Sequence, residues 1–245
     1  MKIAIVWYGR MWKYVEEYAI KRWHEIAIII DPIKWTSIQD LKNIDFDVII
    51  EFSVPTAAIE NMTFYAENNM KVVMATTWWY DKVEDIKPIF RKHTKSALLW
   101  SSNFSVWVHL FWKIIENASL IMNKFDAYDV FWHEFHHNKK ADSPSWTAIT
   151  TAEIILKNIE RKDTLVTEEL AHRPIKPEEL HFSSTRWWSI PWTHSVYFDS
   201  VFDTIKIEHT ARTREWFALW SVVCAEWLKD KTWYFEIWDF VKDIV

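Results

Sequence analysis

Short apolar segments alternate with longer amphipathic segments through the first hundred residues of the chain. Apolar runs of three to six residues predict buried strands at 2–6, 25–30, 48–50, 71–75 and 97–100. Apolar residues that recur every three or four positions predict helices at 11–22, 56–69 and 81–92. Strands that alternate with helices at this spacing predict a doubly wound, parallel α/β sheet.

The alternation stops near residue 105, after which the elements follow one another irregularly. The patterns predict helices at 108–122, 145–160 and 216–229, a strand at 127–131, and antiparallel strands at 194–200 and 203–211. The charged, histidine-rich segment 132–143 follows the strand, and the polar segment 162–194 predicts loop and short strands. We therefore predict two domains: residues 1–106, completed by 216–245, and a smaller α+β domain over 107–215.

Composition excludes several functional classes. Half of the residues are hydrophobic and 26% are charged, which suits a sizeable core. A net charge of −5 argues against a nucleic-acid partner. The single cysteine, Cys224, excludes a disulfide framework and suits a reducing compartment, so we expect a cytoplasmic protein. The initial apolar run Ile3–Val6 is too short for a signal peptide. No apolar stretch reaches about 18 residues, so we expect no membrane partner.

Glycine is almost absent, since the chain has 19 Trp and one Gly. Average usage near 7% predicts about 17 glycines, and turns and phosphate loops need residues that accept positive φ or lack a Cβ atom. Tryptophans occupy turn-like or loop-like settings at Trp7, Trp12, Trp23, Trp35, Trp78, Trp107, Trp132, Trp146, Trp187, Trp188, Trp192, Trp216, Trp220, Trp233 and Trp238. Those within apolar runs are Trp79, Trp100, Trp112 and Trp227.

Our hypothesis is that the natural protein has glycine at the fifteen turn-like or loop-like positions, where this sequence has tryptophan. The simplest cause is a gene whose UGA codons mean glycine in its own lineage but were translated as tryptophan in this sequence. The alternative is a genuinely Trp-rich protein. We call the sequence with glycine at the fifteen positions the glycine-restored chain. Overpacking costs roughly 1–3 kcal/mol at a tight site, against a total stability of about 5–15 kcal/mol, so the chain as written should be unstable or inactive.

The first strand leads into residues 7–12, which with glycine at Trp7 and Trp12 read G-x-G-x-x-G. In this Rossmann fingerprint, the glycines make the tight turn and let a pyrophosphate approach the backbone at a helix N-terminus. Asp31 follows the second strand, where a carboxylate accepts the ribose hydroxyls; otherwise it is a turn residue before Pro32. Asp31 favours NADH because it would repel a 2′-phosphate, while Lys34 leaves NADPH open.

The segment His133–His137 formally matches H-E-x-x-H, the signature of zinc peptidases. That motif needs a helix, which places both histidines on one face, whereas this segment follows the predicted strand. The sequence also offers no evident third zinc ligand. We therefore predict no metal and keep the zinc peptidase as an alternative.

An anion-binding acid site is the other interpretation of this region. The amides of Ser145–Thr147 open a helix after Pro144 and would face an anion. Lys140 and one of His136 and His137 would hold a dicarboxylate, and the other histidine could donate a proton. The alternative is a solvated, charged loop.

The segment 133–148 resembles the E-x-H-H-x-x-K-x-D-x-P-S-G-T-A signature of the 4-hydroxy-tetrahydrodipicolinate reductase family, which serves bacterial diaminopimelate and lysine synthesis. The resemblance extends over nearly the whole chain, with supporting motifs at 7–12, 76–78, 102–108, 186–188, 192–194 and 217–220. Every tryptophan that departs from these motifs falls on a family glycine, which supports the glycine hypothesis independently.

The resemblance implies a role for individual residues. His136 matches the proton donor, and Lys140 matches a second catalytic, substrate-binding residue. The groups that bind the substrate carboxylates are matched by His137, Lys140, Trp146 and Thr147. The nicotinamide-cofactor contacts are matched by Trp7, Tyr8, Gly9, Arg10, Met11, Trp12, Asp31, Ala75, Thr76, Thr77, Ser101, Ser102, Asn103 and Phe104.

The resemblance also implies a reaction and an assembly. The cyclic hydroxy-substrate loses water, NADH or NADPH delivers a hydride to ring C4, and His136 protonates the resulting enamine carbon. The second domain carries an open mixed sheet, binds substrate and builds a homotetramer, and hinges are expected near 104–108 and 212–217. The alternatives are another two-domain Rossmann oxidoreductase, such as an amino-acid or sugar dehydrogenase, and a non-catalytic module that senses dinucleotides.

Overall fold

The computed structural model describes residues 1–7, 11–31, 36–190 and 192–244, without the side chain of Trp7. The chain divides into two compact units. The first comprises residues 1–106 and 214–245, and the second comprises residues 107–213. No helix in the described part of the chain is both long enough and apolar enough to cross a membrane.

The first unit contains a six-stranded sheet in which every neighbouring pair is parallel. Its strands are β1 (Lys2–Trp7), β2 (Glu25–Ile30), β3 (Val48–Phe52), β4 (Lys71–Met74), β5 (Ala97–Trp100) and β11 (Trp233–Glu236), in the order β11-β5-β4-β3-β1-β2. Its helices are α1 (Trp12–Lys21), α2 (Pro55–Glu67), α3 (Val83–Lys92), α6 (Glu215–Leu228) and α7 (Ile237–Ile244), with short 3-10 helices at Ile38–Asn43 and Tyr80–Lys82. The predicted doubly wound sheet is confirmed.

Residues Ile3–Val6 of β1 point alternately to the two faces of this sheet, and all four are buried. This burial indicates that helices cover both faces. Helix α6 is tied to α1, where Arg22 forms two 2.7 Å hydrogen bonds with Glu226. The Tyr18 hydroxyl also donates to Glu215 at 2.9 Å. These contacts attach helix α6, which follows the second unit in the chain, to the first helix of the first unit. The sequence patterns did not indicate β11 and α7.

The second unit contains a five-stranded mixed sheet. Its strands are β6 (Asp129–His136), β7 (Thr164–Val166), β8 (Glu179–Arg186), β9 (Trp192–Asp199) and β10 (Thr204–Ala211), in the order β10-β9-β6-β8-β7. Its helices are α4 (Val106–Met122), which begins at the boundary between the units, and α5 (Trp146–Asn158). The predicted antiparallel pair near 194–200 and 203–211 is confirmed as β9 and β10.

One prediction for the second unit was wrong. The strand predicted to end at residue 131 runs to His136, because every second residue from Val130 onward continues to face the covered side of the sheet. The hydrophobic pattern did not show this alternation, because the buried positions 134 and 136 carry polar residues. The segment 162–194, for which loop and short strands were predicted, holds the three-residue strand β7 and the eight-residue strand β8. The second half of β8 is polar and lines the cluster described next.

Candidate active site

Strand β6 places Glu134 and His136 on the covered face of the second sheet, where they are 0% and 1% exposed. Alternate residues of a strand share a face, so the two side chains are neighbours. The same geometry excludes the zinc-peptidase interpretation, because His133 lies on a strand that runs to His136 and not on the helix that this motif needs. Four residues of extended chain span about 13 Å. His133 and His137 therefore cannot share one metal ion in that way.

The carboxylate of Glu134 is the centre of a hydrogen-bonded cluster. Arg186 donates to Glu134 Oε1 through Nη2 at 2.6 Å, and Ser184 donates through Oγ at 3.3 Å. The backbone N–H of Ser145 donates to both carboxylate oxygens, at 3.3 and 3.4 Å. Burial by itself raises the pKa of Glu134, but the hydrogen bonds from His194, Ser145 and Arg186 outweigh it and lower the pKa to about 2.

Two histidines face the other carboxylate oxygen. His194 Nε2 lies 3.5 Å and His136 Nδ1 lies 3.6 Å from Glu134 Oε2, and the two rings meet edge-on with centroids 5.2 Å apart. Burial lowers the pKa of His136 to about 4, an effect that Glu134 opposes and the positive charges of His194, Arg186 and Lys140 reinforce. The imidazole of His136 is therefore neutral at neutral pH.

Glu134, His136 and His194 each offer a ligand atom, and these atoms lie within 4.8 Å of one another. Such a set could in principle hold a divalent cation. The guanidinium of Arg186 already bonds the same carboxylate, however, and its positive charge opposes a second cation. The electrostatics therefore favour an acid–base cluster over a metal centre.

Helix α5 begins directly beside this cluster. Ser145 is its N-cap, and the Ser145 Oγ accepts a hydrogen bond from Ala148 N and lies 3.2 Å from His194 Nε2. The sequence predicted that the Ser145 amide faces a bound anion, and this was wrong. That amide donates to Glu134, and Ser145 is 2% exposed, so it belongs to the protein interior. Trp146, the first residue of the helix, has a side chain that is 61% exposed.

The loop after β6 is anchored at both ends. The backbone N–H of Trp187 donates to His136 O at 3.0 Å, and Arg186 Nη2 donates to Asp142 O at 2.7 Å. Within the loop, Lys140 Nζ forms a 2.5 Å ion pair with Asp142, and Lys140 N donates to His137 O. These contacts hold residues 136–140, which we call the His-Lys segment, at one end of the sheet, close to α5.

The predicted cofactor residues of the first unit lie at the carboxyl edge of its sheet, because parallel strands end on the same side. Asp31 follows β2, Ala75–Thr77 follow β4, and Ser101–Phe104 follow β5. The strand order changes direction between β1 and β3, and the crevice at such a point is where open α/β sheets bind ligands. Of the remaining predicted contacts, Tyr8, Gly9 and Arg10 lie outside the described residues.

The start of α1 has features that suit a bound anion. Met11 provides no side-chain cap and the first turn contains no acidic residue, so the helix dipole is not offset there. Farther along the same edge of the sheet, Ser101 and Asn103 brace the turn after β5, since Ser101 Oγ donates to Asn103 O at 2.6 Å. Trp12, where the fingerprint requires glycine, is half-buried.

Sequence reasoning missed the partners of His136. Glu134 entered the sequence analysis only as part of the zinc motif and of the family signature, and Arg186 and His194 had no role beyond family likeness. The register pairs His136 with Arg186 on β8 and Glu134 with His194 on β9. The period-two alternation of β6 was the available signal for Glu134, whereas no local pattern reveals which residues of other strands lie opposite it.

Comparisons with known proteins agree along the whole chain. The family model described as "Dihydrodipicolinate reductase, N-terminus" matches residues 1–104, and "Dihydrodipicolinate reductase, C-terminus" matches residues 108–241. A Christiangramia forsetii protein named 4-hydroxy-tetrahydrodipicolinate reductase is 37% identical over 244 residues, which span 100% of this chain and 99% of that protein. One of the same name from Archaeoglobus fulgidus is 35% identical over 207 residues, spanning 83% and 79%.

Solved structures share the fold. A dipicolinate-bound dihydrodipicolinate reductase from Paenisporosarcina sp. TG-14 has a TM-score of 0.77 at 17% identity, covering 96% of this chain and 97% of that one. A scyllo-inositol dehydrogenase from Lactobacillus casei with bound NAD(H) has a TM-score of 0.57 at 11% identity, covering 93% and 87%. Because the two family models together match nearly the whole chain and a relative is 37% identical along its full length, the chain belongs to the dihydrodipicolinate reductase family.

Proposed function

We propose that the chain reduces 4-hydroxy-tetrahydrodipicolinate to tetrahydrodipicolinate with NADH or NADPH, a step of diaminopimelate and lysine synthesis. The observation that carries this proposal is the buried His136 beside the ionised Glu134, at the end of the sheet that leads to Lys140 and α5. Full-length relatives bearing this enzyme name support it. The cytoplasm is the proposed compartment, which suits the free thiol of Cys224.

The substrate carboxylates are proposed to bind at the His-Lys segment. Lys140 supplies a positive charge, and His137 and the amides of Trp146 and Thr147 supply hydrogen-bond donors at the start of α5. The Ser145 amide is not part of this set, since it bonds Glu134. The dipicolinate bound to the Paenisporosarcina enzyme supports a planar dicarboxylate as the ligand class.

His136 is the proposed proton donor. A dianion bound beside it favours the imidazolium and raises its pKa from about 4, so ligand binding loads the donor with a proton. When bound, the reduced nicotinamide supplies the hydride that adds to ring C4 of the conjugated imine. His136 then donates its proton to the enamine carbon, which completes the addition of one hydride and one proton across the double bond.

The cofactor is proposed to bind at the carboxyl edge of the first sheet, with its pyrophosphate at the N-terminus of α1. The absence of a side-chain cap and of acidic residues in the first helical turn supports this site. Asp31, at the end of β2, is proposed to accept the ribose hydroxyls and to favour NADH over NADPH.

An assay linked to the preceding synthase tests the function. With the glycine-restored chain, the absorbance of reduced nicotinamide should fall only when the synthase supplies substrate, with a lower KM for NADH than for NADPH. Asp31→Asn removes the repulsive charge and should lower the KM for NADPH. Oxidation of an alcohol or amine without need of Lys140 would instead indicate another Rossmann oxidoreductase, and NADH binding without any turnover would indicate a sensor.

A homotetramer formed through the sheet of the second unit completes the proposal. Phe131 is 42% exposed on the face opposite Glu134, and its ring stacks on Tyr197 with centroids 4.7 Å apart. An aromatic pair on an exposed sheet face is typical of an interface. Light scattering should give four times the chain mass, and Phe131→Glu should give a smaller species. A monomeric glycine-restored chain would refute this assembly.

A further inference from the structure

We infer that the polypeptide made in its source organism carries glycine at the fifteen tryptophan positions assigned to glycine in the sequence analysis, and tryptophan at the other four. The turn-like or loop-like setting predicted for all fifteen was wrong for some of them, since Trp132 lies within β6 and Trp220 within α6. The composition raised this hypothesis, and two independent properties of the structure support it. The first is backbone conformation, and the second is the way the two groups of indole rings are accommodated.

Tryptophan is over-represented among the described residues that have positive φ angles. Among the described residues other than glycine, five have positive φ, and four of these are Trp23 (64°), Trp78 (68°), Trp188 (36°) and Trp233 (102°). Only 19 of the 245 residues are Trp, so this share is far above its frequency in the chain. A bulky side chain is unfavourable in the left-handed region, whereas glycine enters it freely. All four belong to the fifteen positions, and none belongs to the other four.

The four remaining tryptophans behave as real ones. Each donates its indole N–H to a partner, which buried or half-buried tryptophans require. The acceptors are Thr76 O for Trp79, the Tyr234 hydroxyl for Trp100, Thr151 Oγ1 for Trp112 and Asp243 Oδ2 for Trp227.

Several of the fifteen behave in the opposite way. Trp132 is 1% exposed and its buried Nε1 has no hydrogen-bond partner, which is costly in a core. Trp23 and Trp78 are 93% and 85% exposed, so these rings stabilise little by burial. Glycine at such positions would remove the unsatisfied donor, the exposed rings and the unfavourable φ angles together.

Peptide masses of the protein purified from its source organism test the inference. The tryptic peptide 96–113 contains Trp100, Trp107 and Trp112, of which the inference changes only the second. We expect its mass to be lower by one tryptophan-to-glycine difference, with fragment ions locating glycine at position 107. A peptide that keeps all three tryptophans, or loses a different one, overturns the inference.

The neighbouring residues Trp78 and Trp79 give a matched pair for thermal unfolding. In the chain as written, Trp78→Gly should raise Tm by roughly 2–8 °C by removing backbone strain. Trp79→Gly should lower Tm by roughly 6–20 °C because it deletes a buried ring. If the chain as written does not fold, the glycine-restored chain with tryptophan kept at position 78 should show the reverse shift. Equal effects at both positions would overturn the inference.

A second inference rests on the hydrogen-bonded cluster and on the proposed function. We infer that Glu134 is a positioning residue that orients His136 and sustains its protonated form during turnover. Its carboxylate is held by Arg186 and by the Ser145 N–H, so it has a fixed place on β6 between the two histidines. Its Oε2 lies 3.6 Å from His136 Nδ1, which is too long for a hydrogen bond, so the carboxylate acts on the imidazole through its charge.

The charged groups that face His136 act in opposite directions. Glu134, from the same strand, favours the imidazolium, whereas Arg186 from β8, His194 from β9 and Lys140 from the following loop disfavour it. Glu134 is therefore the residue whose loss removes the stabilising charge, whereas the groups that oppose the imidazolium remain. A proton donor without that carboxylate would lose its proton at lower pH.

Glu134→Gln in the glycine-restored chain tests this role. The alkaline limb of the kcat–pH profile should move to lower pH by roughly one unit, which lowers kcat at pH 8 about tenfold, with an unchanged KM for NADH. Glu134→Asp should recover part of the loss. Glu179→Gln, which removes a buried carboxylate paired with Arg173 elsewhere in the same sheet, is the control and should leave the profile in place.

The outcomes separate the two proposals. If the glycine-restored chain itself does not turn over, the proposed function fails. Turnover with a pH profile that Glu134→Gln does not move, or that Glu179→Gln moves equally, overturns the positioning role. A proton-resonance titration of His136 provides a readout without substrate, because Glu134→Gln should lower its pKa further.

Discussion

His136→Ala in the glycine-restored chain is expected to lower kcat by about 100- to 10,000-fold, the usual contribution of a positioned proton donor. Affinity for NADH should stay unchanged, because the residue belongs to the second unit and the cofactor contacts belong to the first. Steady-state kinetics with synthase-supplied substrate, together with NADH binding by fluorescence, measure both quantities. The loss should be concentrated in kcat, since the imidazole acts on the reacting carbon and Lys140 carries the carboxylate charge.

His133→Ala is the matched control for this experiment. His133 lies on the same strand but on the opposite face, where its Nδ1 is 2.6 Å from Ser183 Oγ. Its replacement removes an imidazole from β6 without touching the cluster around Glu134. An unchanged kcat in His136→Ala, or an equal loss in both variants, would reject His136 as the donor.

The second large effect is expected at position 146. If tryptophan is kept there while glycine is restored at the other fourteen positions, kcat/KM should fall about 100-fold or more, because two charge-assisted hydrogen bonds to a carboxylate are lost. The physical reason is close approach: an anion reaches the first amides of α5 only if no bulky side chain stands over them. Trp146 is the first residue of that helix.

Keeping tryptophan at position 23 instead supplies the control. Trp23 has a φ of 64° and is 93% exposed, so it should lower Tm while leaving kcat/KM unchanged. Full activity with tryptophan at 146 would show that the substrate carboxylate does not approach the α5 amides. The chain as written, with all fifteen tryptophans, should have no measurable turnover.

The glycine deficit shows how sequence and structure complement each other. Composition and motif spacing alone separated fifteen tryptophans from four, since a missing residue type is visible in any count. The positive φ angle of Trp78 and the indole hydrogen bond of Trp79 then support this division independently at two neighbouring residues. Conformation at a single residue depends on the turn in which the fold places it.

The amino-acid sequence by itself determined the doubly wound sheet, because periodicity two and periodicity 3.6 are local properties of short segments. It also determined the family and the His-Lys segment, whose residues are neighbours in the chain. Only the tertiary structure decided that β6 continues to His136, and that Glu134 meets Arg186 and His194 from strands about 50 and 60 residues away. The register between strands arises from the packing of whole elements, and therefore no local pattern contains it.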